Sequence, residues 1–113
     1  MPEQGRPVQV TRQGDHHVLR LAGGVNLDVA AELHEQASRL AVVARHVSID
    51  WSEAGPIHAC GLQILLALRA ALLESGAVLD VTGDQPRIRQ HLELAGFGGH
   101  FPPGKVALDI GTE

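Results

Sequence analysis

VSIDWSEAGPIHACGLQILLALRAALLESGAVLDVTG, Val47 to Gly83, decides the fold. It reads as a strand, a polar turn, a run of small residues, an apolar helix, a glycine and a second strand. His46 to Trp51 has strand composition. Gly55-Pro56 is breaker chemistry, so Ser52 to Ala59 is expected as a loop. From Gly61 to Ser75 the pattern turns helical. Leu62, Leu65, Leu66, Leu72 and Leu73 cover one broad face, with Ile64, Leu68 and Ala71 on the adjoining one. Only Gln63, Arg69 and Glu74 are polar there, so this helix should be buried on more than one side or engaged by a partner. Gly76 stands where a left-handed C-cap residue belongs. Ala77 to Thr82 reads as the next strand. A strand-helix-strand unit of this length implies parallel pairing.

Towards the N-terminus, Val8 and Val10 alternate with Gln9 and Thr11, and Gln13-Gly14-Asp15 supplies a turn. The alternation resumes with His16 and Val18 on one side and Leu19 and Leu21 on the other. The two runs form an expected hairpin, ended by Gly23-Gly24. Leu27 to Val43 is expected as a helix with a stripe of Ala30, Leu33, Ala37 and Leu40. Asn26 and Asp28 are both N-cap candidates. Towards the C-terminus, Pro86 suits a first helical position. Ile88, Leu92 and Ala95 form a stripe that Gly96 ends. Gly98 to Gly104 reads as loop, and Val106 to Ile110 as a short edge strand.

The fold class is therefore α/β: one domain over residues 1–113, with a mixed, mostly parallel sheet and helices packed against it. Its core is expected over about residues 8–97, with 98–113 as a C-terminal extension. The 113 residues suit one core. Hydrophobic residues at 44% and charged residues at 19% exclude a disordered chain. A net charge of −4 argues against nucleic acid or anionic lipid as a partner, and 3% aromatics against a base-stacking surface. No run is apolar and long enough to span or insert into a membrane, and no leader pattern is visible, so a cytoplasmic protein is expected.

His58-Ala59-Cys60-Gly61 lies at the entrance to the Leu-rich helix. The first N–H groups of a helix lack internal partners and favour negative charge. Small residues also leave such a turn open to an approaching surface. Cys60 is the one cysteine, so no internal disulfide forms. A thiol at a helix entrance is easier to ionise, so Cys60 is where a redox or modification switch would sit. A Cys60–His58 nucleophilic pair lacks the orienting third group such sites need. The seven histidines supply no helical i, i+4 clamp, and adjacent His16 and His17 point to opposite sides of a strand. No metal or other cofactor is expected, and no nucleotide-binding glycine loop is present.

Three segments together resemble a STAS domain, the fold of bacterial anti-sigma factor antagonists and related partner-switching modules. LAGGVNLDVAAEL (Leu21 to Leu33) is similar to the family's strand and first helix. Val47 to Gly83 is similar to its central segment, where an Asp-Ser-Ser-Gly or Asp-Ser-Ala-Gly motif opens a Leu-rich helix. PRIRQHLELAGF (Pro86 to Phe97) is similar to its last helix. The resemblance implies a non-catalytic protein-interaction module of bacterial signalling and transcription regulation. Its partner would be a kinase-type anti-sigma factor or another signalling protein, and a weak homodimer is left open. Aligned on the motif, Cys60 replaces the hydroxyl residue that accepts phosphate in relatives. His58 and Ala59 replace the preceding Asp and Ser, and Asn26 replaces an Asp at the end of the second strand. The usual phosphorylation switch is therefore expected to be missing. The expected partner-binding surface comprises Asn26, His58, Ala59, Cys60, Gly61 and Leu62, with the exposed side of the helix they open. The alternatives are an accessory STAS subunit of a lipid-transport ATP-binding cassette system and, behind it, a Cys60 redox sensor.

Overall fold

The computed structural model describes residues 7–83, 85–96, 99, 101 and 104–105. Eight elements follow in the order β1 (Val8–Gln13), β2 (His16–Val25), α1 (Leu27–Val43), β3 (His46–Ile57), α2 (Ala59–Glu74), β4 (Val78–Thr82), α3 (Pro86–Leu94) and β5 (Gly104–Lys105). The strands form one sheet in sequential order, β1-β2-β3-β4-β5. The β1–β2 hairpin and the β4–β5 pair are antiparallel, and β2–β3 and β3–β4 are parallel. This is the mixed α/β architecture that the alternation of strands and helices requires.

One face of the sheet is apolar. Leu19 and Leu21 of β2, Val47 and Ile49 of β3, and Leu79 and Val81 of β4 are all buried. The α1 stripe Ala30, Leu33, Ala37 and Leu40 is buried as its spacing requires. On α2 the buried set is Gly61, Leu62, Leu65, Leu68 and Leu72. Leu73, expected on the broad buried face, is half exposed, and Leu66 only packs against the core's margin. The burial spacing of three and four residues selects a narrower stripe than the Leu content suggests. α3 buries Ile88 and Leu92 in the same core, whereas Ala95 lies beyond its last turn and is exposed.

Both strands entering the site are longer than their sequences suggest. β2 runs through Gly23-Gly24 to Val25, and β3 runs through Gly55-Pro56 to Ile57 instead of looping from Ser52. Two causes act together. A Cβ on Gly55 would lie 3.2 Å from the Gly24 backbone nitrogen, so glycine lets the two backbones approach. Beyond Asp50, β3 has β2 as its partner but not β4, whose register stops at Asp50–Thr82. Pro56 therefore lies on a stretch with an open edge, where its missing N–H is tolerated. The pairing is irregular between Arg20 and Ala22 and again between Gly23 and Val25, which marks bulges.

Gln85 secures the bulged stretch. Its Nε2 donates to the carbonyls of Trp51 (2.7 Å), Ser52 (3.0 Å) and Ala54 (3.1 Å). Trp51 is fully buried and meets Phe101 edge-to-face, at 5.9 Å between ring centroids. Phe101 is thus a core anchor inside the stretch read as loop. The strand expected at Val106 to Ile110 lies outside the described residues, and the pairing observed is at Gly104–Lys105.

Candidate functional site

The ends of β2 and β3 deliver two helix starts to one rim. Val25 and Ile57 are register partners, and the residue after each caps a helix. Asn26 caps α1: its Oδ1 accepts from the N–H of Val29 at 3.0 Å. Of the two cap candidates, Asp28 falls instead in the first turn, where its negative charge suits the helix dipole.

α2 begins two residues earlier than its glycine suggests, and His58 is its cap. The Nδ1 of His58 accepts from the N–H of Cys60 at 3.1 Å, which places the imidazole proton on Nε2. The His58 carbonyl takes the N–H groups of Gly61 (2.8 Å) and Leu62 (3.1 Å). Its own N–H donates to the carbonyl of Val25 at 2.8 Å, tying the start of α2 to the end of β2. Histidine is not among the preferred capping residues, so residue type alone offers little signal for this role.

The expected site residues divide by exposure. Asn26, His58 and Ala59 are exposed, and Cys60 is half-buried as the second helical residue. Gly61 and Leu62 turn inward. A Cβ on Gly61 would lie 2.9 Å from Val25 Cγ1 and 3.1 Å from Ile57 Cγ2, so glycine lets the helix start close onto the strand ends. Leu62 is 2% exposed and belongs to the core. The rim is therefore built by six residues but presented by four.

Two depressions flank it. One, of about 350 Å³, lies between the strand ends and is lined by Gly24, Val25, Asn26, Pro56, Ile57 and His58. The other, of about 360 Å³, runs between α1 and α2, with Ala37, Ala41, Ile64 and Ala67 as its apolar floor and Cys60 among its walls. The His58 imidazole bonds the backbone of Cys60 and not its sulfur, so the structure assembles no nucleophile–base pair here. Among the described residues, no group of three histidine, cysteine or acidic side chains is placed to hold a metal. No described helix is long and apolar enough to cross a membrane.

A family model described as "Mlab, STAS domain" matches residues 8–107. No curated protein matches the chain in sequence. Solved structures do match in fold. The anti-sigma factor antagonist SpoIIAA in its unphosphorylated form superposes with a TM-score of 0.73 at 13% identity, over 91% of this chain and 92% of that one. An anti-sigma factor antagonist from Mycobacterium paratuberculosis gives 0.73 at 22% identity, over 85% and 82%. A sulfate transporter family protein from Wolinella succinogenes gives 0.68 at 16% identity, over 81% and 75%.

Proposed function

Because this chain belongs to the STAS domain family, we propose that it is a non-catalytic docking module of bacterial signalling. On this reading it is built like an anti-sigma factor antagonist and lacks the hydroxyl on which a partner kinase would act. The whole chain works as one cytoplasmic domain. Its docking surface is the rim formed by Asn26, His58, Ala59 and Cys60, set by Gly61 and Leu62 beneath, with the exposed side of α2 continuing it. The partner is a protein: a kinase-type anti-sigma factor or another signalling protein.

One observation carries the reading: two capped helix starts open side by side, joined by the bond from His58 N–H to the Val25 carbonyl. A partner meeting both finds a surface of small, mostly neutral residues over two positive dipole ends. In relatives with a hydroxyl here, phosphate would add like charge beside an acidic partner and weaken docking. The sequence from residue 58 to 61, His-Ala-Cys-Gly, offers no such oxygen. Binding is therefore constitutive, or controlled elsewhere in the chain. Incubation with the cognate kinase and ATP, followed by peptide mass spectrometry, tests this. Unmodified residues 58–61 are expected, and phosphate on that segment would overturn the loss of the switch.

The fold similarity to a sulfate transporter family protein favours a second reading, a cytoplasmic accessory subunit of a membrane transporter. The two part on the identity of the bound protein. A transporter ATPase held through this rim would select the second.

A further inference from the structure

Along β3 the residues that face the core change their spacing. Val47, Ile49 and Trp51 are buried there at every second position, whereas Ala54 and Ile57 follow at every third. The register explains the change. β3 gains one residue on β2 between the pairs Arg20–Asp50 and Ala22–Glu53, and a second between Gly23–Ala54 and Val25–Ile57. Each bulge resets the alternation, which keeps Ala54 and Ile57 inside and Ser52 and Glu53 outside. Strict alternation would turn Glu53 to the core and set Val25 opposite Gly55. His58 would then not stand where it caps α2 beside the cap of α1. The geometry of the rim therefore depends on the two bulges.

The first bulge is held by a group from outside β2 and β3. A bulge takes backbone groups out of the ladder, and a carbonyl left without a donor is costly. The carbonyls of Trp51, Ser52 and Ala54 all receive the Gln85 amide, at 2.7, 3.0 and 3.1 Å. Gln85 occupies the N-cap position of α3, yet its side chain makes no capping bond to that helix. Pro86 follows at the helix start and has no N–H to cap. The Gln85 side chain is thus turned to β3 and not to its own helix. Gly83 brings the same connection against the bulge. Its φ is +64°, and a Cβ there would collide with Asp50 Oδ1 and with Ser52. Asp50 Oδ1 in turn accepts from the Ser52 N–H at 3.1 Å and the Ser52 hydroxyl at 2.8 Å. The segment leading into α3 grips the bulge at two points.

We propose that Gln85 is the positioning residue of the rim, acting through the first bulge of β3 on His58. Its amide selects the bulged register, so the start of α3 and the start of α2 open together. The functional weight of Gln85 rests on the rim being the docking surface. The test uses no partner, so the two claims fail separately.

Amide hydrogen exchange followed by NMR tests the proposal in the full chain. In the wild type, the side-chain amide protons of Gln85 should be protected and should exchange with the N–H of His58 as one opening unit. Gln85→Met keeps most of the bulk and removes the donors. It should raise opening about tenfold or more at His58, Gly61 and Leu62, relative to residues 33–40 of α1. A role confined to general stability would raise both sets equally, and that result would overturn the proposal. So would wild-type Gln85 protons that exchange like those of an exposed glutamine while His58 stays protected, a result that decides even if the variant fails to fold.

Discussion

The backbone N–H of His58 donates to the carbonyl of Val25 at 2.8 Å, so the residue that caps α2 is bonded to the residue preceding the cap of α1. The two helix starts are therefore one mechanical unit. Removing either cap should cost stability, and removing both should show coupling.

The Asn26→Ala and His58→Ala chains should each lose about 1 kcal/mol, the usual cost of a lost N-cap. Because the caps share the Val25–His58 connection, the double variant should deviate from additivity by about 0.5 kcal/mol or more. His58→Asp, which supplies a better cap and a favourable charge at the helix start, should match or exceed the wild type. Urea unfolding of the four variants beside the wild type measures all three outcomes.

Gly61→Ala should destabilise by about 1–3 kcal/mol, the range for overpacking. The new Cβ would stand 2.9 Å from Val25 Cγ1. Clearing the Val25 methyls with Val25→Ala should lower the cost of Gly61→Ala in the doubly substituted background, with the 3.1 Å approach to Ile57 Cγ2 remaining. A Gly61→Ala cost unchanged in the Val25→Ala background would mean the close approach is not what requires glycine.

Gln85→Ala should cost about 1–3 kcal/mol by leaving carbonyls of the bulged stretch without their donor. Those of Trp51, Ser52 and Ala54 now share one amide group. Gln85→Glu should be worse, since it sets a carboxylate against three carbonyl oxygens. Thermal unfolding ranks the two variants, and an equal effect would argue that only the side chain's bulk matters.

Ala59→Glu separates docking from folding. Ala59 is exposed at the first position of α2. A carboxylate there suits the helix dipole, so stability should hold or rise by about 0.3–1 kcal/mol. If the rim docks a partner as proposed, the same charge placed on it should weaken that docking.

Local periodicity made much of this architecture legible. The α1 helix from Leu27 to Val43, its buried stripe and the stop at Gly76 all follow from spacing and cap chemistry within a few residues. What spacing could not reveal depended on partners distant in the chain. Gly55-Pro56 reads locally as a break, yet β3 continues because β2 supplies its hydrogen bonds there. His58 stands out in the sequence as part of His-Ala-Cys-Gly, but its capping role depends on the helix beginning at Ala59. Leu62 belongs with the rim in sequence and with the core in space. The stack of His16 on His46 is a consequence of register between strands thirty residues apart, which no local pattern encodes.

The proposed function stands on the rim around Asn26, His58, Ala59 and Cys60 holding a protein partner. The most direct measurement is quantitative mass spectrometry of proteins retained from extract of the source cells by three immobilised chains: wild type, Ala59→Glu, and Thr11→Glu on the distant edge strand. One signalling protein held by wild type and Thr11→Glu, and reduced at least tenfold by Ala59→Glu, is the predicted result. Equal retention of the same partner by all three chains would contradict it.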